Sequence, residues 1–428
     1  MGLLAQLIDD STPDGARLRA QQIEEVRALL EHPKDARIQP HGSDAWIWVK
    51  PPKAHAENVE VALTRDPWFR SRIRLNDFTG RIEWEGRDIR DADLTRVRIC
   101  LGRAYCLRPS LALTKEVVAF VAESLRVHPV RAYLRGLRWD GVARIDRLLS
   151  SYAGCDDTPL HRVLSRRFLV SCVARIMEPG SKVDTVLVLA GPQGYGKSTF
   201  FGALAGRPWF KDSAIDLRSK DAYVALRGVW LFELAELAAT RPRDAETVKA
   251  FLSAQVDTFR PPYGQFEVSQ PRQCVFVGTT NEPSFLNDPT GARRFWPAEV
   301  KRMPSVLEVT RDRDQLWAEA VAAYDAGDRW WLEVNESREL QQAQEQYKHE
   351  DPWLPKVRRW LESPANPSEG FTIETLLNGA IDKDDDRQTK ADEMRIGGIL
   401  TALGFVKRRP RTDGVRTWRW FRDDGPTR

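Results

Sequence analysis

Apolar residues along this chain follow two spacings. At 17–31, in KEVVAFVAESL and in HRVLSRRFLVSCVARIM they recur every three or four positions, the period of an amphipathic helix. In DAWIWVK and FTGRIEWEGRDI they alternate with polar residues and are parted by turn residues, which predicts short strands. The run VDTVLVLA at 183–190 is different: short, β-branched and, from Val186 on, wholly apolar, as expected of a strand buried on both faces of a parallel sheet. After it the pattern predicts helices at 197–205, 219–226 and 243–254, strands at 229–233, 274–279 and 293–300, a hairpin over 258–272, and helices again at 312–326 and 337–348. Alternating strands and helices imply an α/β sheet with helices on both faces.

This divides the chain into an α+β accessory region (1–115), a helical block (116–182) broken by the arginine-dense 131–149, an α/β core (183–305), a helical connector (306–355) and a separate C-terminal unit (356–428). The Pro-bearing stretch 352–369 reads as a hinge. The last unit reads as helix, second helix stopped by Gly404, basic strand, turn at Asp413 and Gly414, and aromatic strand, the order of a winged helix.

Composition narrows the classes. With 428 residues, 42% hydrophobic and 29% charged, the chain has the usage of a globular protein of two to four domains. Lys and Arg number 65 against 61 Asp and Glu, so nucleic-acid contact would come from local patches. Five scattered cysteines without a C-x-x-C pair suggest neither a disulfide framework nor a zinc ribbon and fit a reducing cytoplasm. The opening MGLLAQLIDD has no signal-peptide pattern, Gln6 stands where a myristoylation signal wants Ser or Thr, and no apolar stretch is long enough for a membrane span.

The candidate chemistry begins where the apolar strand ends. Gly191, Pro192, Gln193, Gly194, Tyr195, Gly196, Lys197 and Ser198, with Thr199 following, match G-x-x-x-x-G-K-[ST] between a strand and a helix. Such a turn points successive N–H groups at one centre and sets a helix N-terminus behind them, so a polyphosphate fits. Lys197 is expected to reach the β- and γ-phosphates and the Ser198 hydroxyl to sit on Mg²⁺. The next strand ends in Glu233, with Glu236 beyond it; one carboxylate would serve the metal and the other orient water, and the residues alone leave open which does which. Asn281 after the third strand is placed to hold water or touch the γ-phosphate, although Asn is also an ordinary turn residue. Arg293 and Arg294 follow a glycine turn, and one of them can reach a neighbouring subunit's phosphate. The hairpin carries Arg260 on one arm and Tyr263 at its tip, a cation and an aromatic suited to single-stranded DNA.

The strings from WDGVARIDRLL through AGPQGYGKSTF, RGVWLFELAEL, RQCVFVGTTNE and DPTGARRFWP closely resemble, over about residues 130–355, the virulence-associated protein E family. These are phage- and island-encoded ATPases related to superfamily 3 helicases and to the helicase half of phage primase-helicases. The resemblance implies a P-loop NTPase core of AAA+-like, superfamily 3 type using ATP and Mg²⁺. Lys197 and Ser198 become Walker A residues, Glu233 and Glu236 the Walker B acids with Glu233 on the metal, Asn281 sensor 1, Arg293 or Arg294 the arginine finger, and Lys249 a basic residue near a neighbour's nucleotide. It further implies a hexameric ring in the bacterial host's cytoplasm, acting on single-stranded and forked DNA beside a separate primase or replication protein, with no membrane partner.

Departures from that pattern matter too. The hairpin tip has no Lys or His, so Tyr263 substitutes, and the first 115 residues show no acidic polymerase cluster, Asp91 and Asp93 reading as surface acids; no primer synthesis is expected. The basic residues Lys407, Arg408, Arg409, Arg411 and Arg416 around the wing are expected on duplex DNA phosphates, and the arginines of 131–147 at a ring entrance. Two other readings share the same P-loop: an ATP-dependent initiator or loader that assembles on DNA without processive unwinding, and a regulatory or defence ATPase.

Overall fold

The apolar run becomes the strand Val186–Ala190 (β1), every residue of it buried, which requires cover on both faces. It lies in a five-stranded parallel sheet with Phe210–Lys211 (β2), Leu231–Ala235 (β3), Val275–Thr280 (β4) and Phe295–Glu299 (β5), in the order β5-β1-β4-β3-β2. All five carboxyl ends therefore point to one edge, where ligands of open α/β sheets bind. The structure, a computed structural model, describes residues 13–31, 37–38, 47–48, 52–213, 216, 219, 221–235, 245–260, 267–282, 284–286, 292–347, 351–363, 370–409, 411–412, 415–416 and 418–422.

The chain forms two compact units, one of residues 1–283 with 288–345, the other of 284–287 with 346–428. In the first, helices Pro159–Met177, Lys197–Ala205 and Val306–Asp325 share one core with the sheet, through Phe168, Leu187, Phe201, Leu204 and Trp317 among others. Trp230 and Trp317 lie with ring centroids 4.2 Å apart, and each indole N–H donates to a helix carbonyl, Trp230 to Cys172 and Trp317 to Leu204, both at 2.9 Å. These two large rings are buried with their donors paired.

Ahead of this core sits a four-stranded sheet in the order Arg87–Asp88, Arg81–Trp84, Ile73–Asn76, Arg126–Val127, packed with helices Ala56–Arg65, Asp91–Tyr105 and Leu111–Ser124. The last helix straddles residue 115, and its Val117, Val118, Val121 and Ala122 belong to this module's core. The turn after Asn76 plugs the module into the α/β core. Phe78 is buried among that core's residues, and its carbonyl accepts from Gly228 N at 3.1 Å. Gly228 adopts φ +73°, and a Cβ there would come within 2.8 Å of Thr79. His128 joins the same corner: its Nδ1 accepts from Arg131 N at 3.1 Å, so its Nε2–H donates to Gln273 Oε1 at 2.5 Å. Burial lowers its pKa and keeps the ring neutral.

Two expectations change and a third is narrowed. Asp93 is not a surface acid: it is 2% exposed, bound by both terminal Arg87 nitrogens at 2.7 and 2.8 Å, and it accepts from Arg90 N to cap its own helix. Of the arginines assigned to a ring entrance, three are engaged within the chain, Arg131 on the Ile176 carbonyl at 2.9 Å, Arg135 on Asp325 at 2.7 Å and Arg144 on Asp140 at 2.8 Å, while Arg138 and Arg147 are exposed. The stretch read as a hinge carries a helix, Leu354–Leu361, with its proline in the first turn, where a missing N–H costs nothing.

The second unit is built from that helix with Ile373–Ile381 and Lys390–Ala402 and an antiparallel ribbon of Phe405–Arg408 with Arg419–Arg422. Its core is Val357, Phe371, Leu376, Leu377, Ile396, Ile399, Leu400 and Trp420. Gly404, at φ +81°, turns the chain from the last helix into the ribbon. A second pair, Arg411–Thr412 with Val415–Arg416, continues it; the expected turn at Asp413 and Gly414 lies outside the described residues.

Candidate functional site

At the carboxyl edge of the sheet, residues Gly191 to Gly196 turn the chain from β1 into the helix Lys197–Ala205, which Lys197, Ser198 and Thr199 open. Gly191 is wedged: its N–H donates to Thr280 O at 3.1 Å, and a Cβ would come within 3.0 Å of Val300 O. Gly194 and Gly196 are glycine for another reason. Their φ values are +83° and +76°, while a Cβ at either would meet nothing within 4 Å, so the turn demands the backbone conformation and leaves the space above it open.

Lys197 points into that turn. It is only 6% exposed, and its ammonium donates to Gly191 O at 2.7 Å, Pro192 O at 2.8 Å and Asn281 Oδ1 at 2.8 Å. Burial lowers its pKa, and the nearby Glu233 carboxylate opposes this. Asn281 is thus brought to the lysine by β4, which ends one residue before it.

Glu233 is 1% exposed in β3. One oxygen, Oε1, accepts from the Ser198 hydroxyl at 2.7 Å and from the Thr279 hydroxyl. The other, Oε2, is buried without a hydrogen-bond partner among the described residues. An ionised oxygen so placed is costly unless a cation joins it. The donor set fits Mg²⁺, a hard ion that takes one or two protein oxygens and completes its shell with phosphate and water. Ser198 and Glu233 would hold it, with a triphosphate across Gly191, Pro192, Gln193, Gly194, Tyr195 and Gly196. Thr279 was not among the expected residues. Its signal was one of two adjacent hydroxyls ending an apolar strand, and the register shows why it counts: Val277 lies opposite Glu233, so Thr279 shares that face one step on.

Other candidates fall apart from this corner or outside the described residues. Glu236 and Tyr263 lie outside them. Lys249, on helix Ala245–Ser253, pairs with Glu246 at 2.9 Å. Arg260 is exposed at the end of the hairpin's first strand. The hairpin itself, Val256–Phe259 against Val268–Pro271, has an anchored base: Arg272 is fully buried, donates to Asp257 at 2.6 Å through Nη2 and to the Phe251 carbonyl, and lies 4.8 Å over the Phe251 ring.

The adjacent arginines differ. Arg294 turns inward, donating to Ser253 Oγ at 3.1 Å and lying 3.7 Å from Asp184. Arg293 is exposed and makes no ion pair among the described residues. In the second unit Lys407, Arg408 and Arg409 are exposed along the ribbon, and Arg411 opens the strand pair beyond it.

A mixed α/β fold whose parallel sheet presents a glycine turn, a buried lysine and a half-satisfied carboxylate at its carboxyl edge defines the class. Residues 134–349, just over half the chain, match the virulence-associated protein E-like domain, and the chain belongs to that family. No curated protein matches it. Similar solved structures include the A form apo structure of the NrS-1 C terminal region, at 11% identity over 82% of this chain and 96% of that one with a TM-score of 0.47. A second, the apo structure of the NrS-1 C terminal region (305–718), is 11% identical over 82% of this chain and 95% of that one, with a TM-score of 0.48. No helix among the described residues is long and apolar enough to cross a membrane.

Proposed function

We propose that this chain is an ATP-dependent DNA helicase of the superfamily 3 type, working as a hexameric ring in the replication of a phage, prophage or mobile island. The observation that carries the reading is the buried corner of Lys197, Ser198, Glu233 and Asn281, in which Glu233 Oε2 lacks a partner among the described residues.

Bound ATP and Mg²⁺ would supply the phosphoanhydride and the charge that neutralises its oxygens. The chain's own residues do the rest. Lys197, now on three oxygens, moves its ammonium onto the β- and γ-phosphates, and the N–H groups of the glycine turn and helix start face the same anion. Ser198 and Glu233 would hold the cation. Asn281, once released by Lys197, would hold the attacking water, and Glu236 is our candidate for polarising it. Arg293, exposed and without an ion pair among the described residues, is the better choice for a finger acting on a neighbour's γ-phosphate, since using Arg294 would break its contacts with Ser253 and Asp184. A contact of that kind is head-to-tail, which closes into a ring. Lys249 would approach the same shared site.

On the DNA side, Arg260 and Tyr263 would grip one strand. The C-terminal unit would act as a winged helix, setting Lys407, Arg408, Arg409 and Arg411 on phosphates.

The test is one preparation assayed three ways: mass with and without a non-hydrolysable ATP analogue, ATP turnover with and without single-stranded DNA, and strand displacement on a forked duplex. A ring whose turnover rises with DNA and whose fork opens is expected. A monomer that cleaves no ATP with any DNA would end the proposal, and DNA-stimulated turnover on an intact fork would favour the initiator or loader.

A further inference from the structure

We propose that Trp418 is a base-stacking platform for unpaired nucleotides, with Lys407 and Arg409 holding the flanking phosphates. Trp418 is half exposed, at 50%. Lys407 Nζ lies 5.3 Å and Arg409 Cζ 5.6 Å from its ring centroid.

Strand periodicity explains how a tryptophan comes to be outside. Trp418 and Trp420 are two residues apart, so they share a face of the strand. Trp420, opposite Lys407 in the ribbon, is buried in the unit's core at 7%. Trp418 precedes the paired strand Arg419–Arg422 and emerges from that core. One indole completes the core, and the next on the same face is left to solvent with two cations around it.

The charges identify the occupant. Neither Lys407 nor Arg409 has an acidic partner among the described residues; their contact there is with the ring. Two cations with no acidic partner among the described residues, set around one exposed aromatic, suit a polyanion that also carries flat faces, which is a single-stranded nucleic acid. A duplex meets half of this description, because its bases are stacked on each other and present no free face. The proposal rests on the reading that the C-terminal unit meets DNA and narrows that reading from duplex phosphates to unpaired bases. It requires no ATP hydrolysis.

The experiment measures binding of the full chain, without nucleotide, to a labelled oligodeoxythymidylate and to a blunt duplex of equal length across a range of salt. Each variant is repeated with Tyr263→Ala so that the hairpin does not mask the effect. Trp418→Ala is expected to weaken oligonucleotide binding about tenfold without changing its salt slope or its affinity for duplex, because stacking releases no counterion. Trp418→Phe should restore most of the loss, whereas Lys407→Ala or Arg409→Ala should flatten the slope by about 0.7 each. Oligonucleotide affinity unchanged in Trp418→Ala, or an equal loss on duplex and single strand, overturns the stacking site while leaving DNA binding by this unit in place. Absence of any DNA binding by the wild-type chain removes both.

Discussion

Two buried carboxylates in the larger unit are treated in opposite ways. Asp66, in the N-terminal module, is wholly buried and saturated: both Arg19 nitrogens donate to it, Tyr105 OH reaches Oδ2 at 2.7 Å and Trp68 N reaches Oδ1 at 2.9 Å. Glu233, just as buried, has both its donors on Oε1 and none on Oε2. The open oxygen beside a glycine turn is where a cation belongs, and the same contrast separates inward Arg294 from unpaired Arg293.

The sharpest break of this comparison is in catalysis. Lys197→Ala, which removes the phosphate cation, and Glu233→Gln, which removes the charge facing Mg²⁺, are both expected to abolish ATP turnover measured by phosphate release. Persistent turnover in either would dissolve the site. Next comes the trans contact: Arg293→Ala should lower turnover about a thousandfold, whereas Arg294→Ala should lower stability by about 1 kcal/mol through its lost hydrogen bonds. Denaturant titration beside turnover separates the two, and equal behaviour would erase the distinction between the arginines.

Stability gives the third comparison. Asp66→Asn takes away the charge to which Arg19, Tyr105 and Trp68 all donate and should cost about 3 kcal/mol, while Glu233→Gln should leave Tm unchanged or raise it, since it replaces a buried carboxylate oxygen that no described residue binds. A comparable loss of Tm in both would mean that Glu233 is structural. The smallest effect is in acid. The Arg87 hydrogen bonds hold the Asp93 pKa at about 2, against 3.8 ordinarily. The folded state thus binds this proton less readily than the unfolded chain, and the stabilisation is complete above about pH 4 and lost as pH falls towards 2. Asp93→Asn should flatten the acid limb of a stability–pH curve across that window.

Much of this was legible in the residues because it is local. The helix expected at 197–205 is Lys197–Ala205, since a glycine turn followed by a helix-forming run specifies its own start and Gly206 its stop. The buried strand Val186–Ala190, expected over 183–190, was readable from its apolar run although it starts three residues later, and Gly404 as a helix stop from its freedom at positive φ. Edges were less well placed where long-range pairing decides them: β3 is Leu231–Ala235 rather than 229–233, because its ends are set by β4 and β2.

What required the tertiary structure were facts about pairs. Composition marks Asp93 as a charge near a helix start, but only the fold supplies the Arg87 that lets it be buried. Thr279 is one hydroxyl in a strand until register sets it beside Glu233. Arg293 and Arg294 are equivalent as letters and opposite in space. Chemical type and local spacing are properties of neighbouring residues and are written along the chain. Whether a charge is satisfied depends on partners that spacing does not name, a few residues from Asp93 and dozens from Glu233, which only folding sets in place.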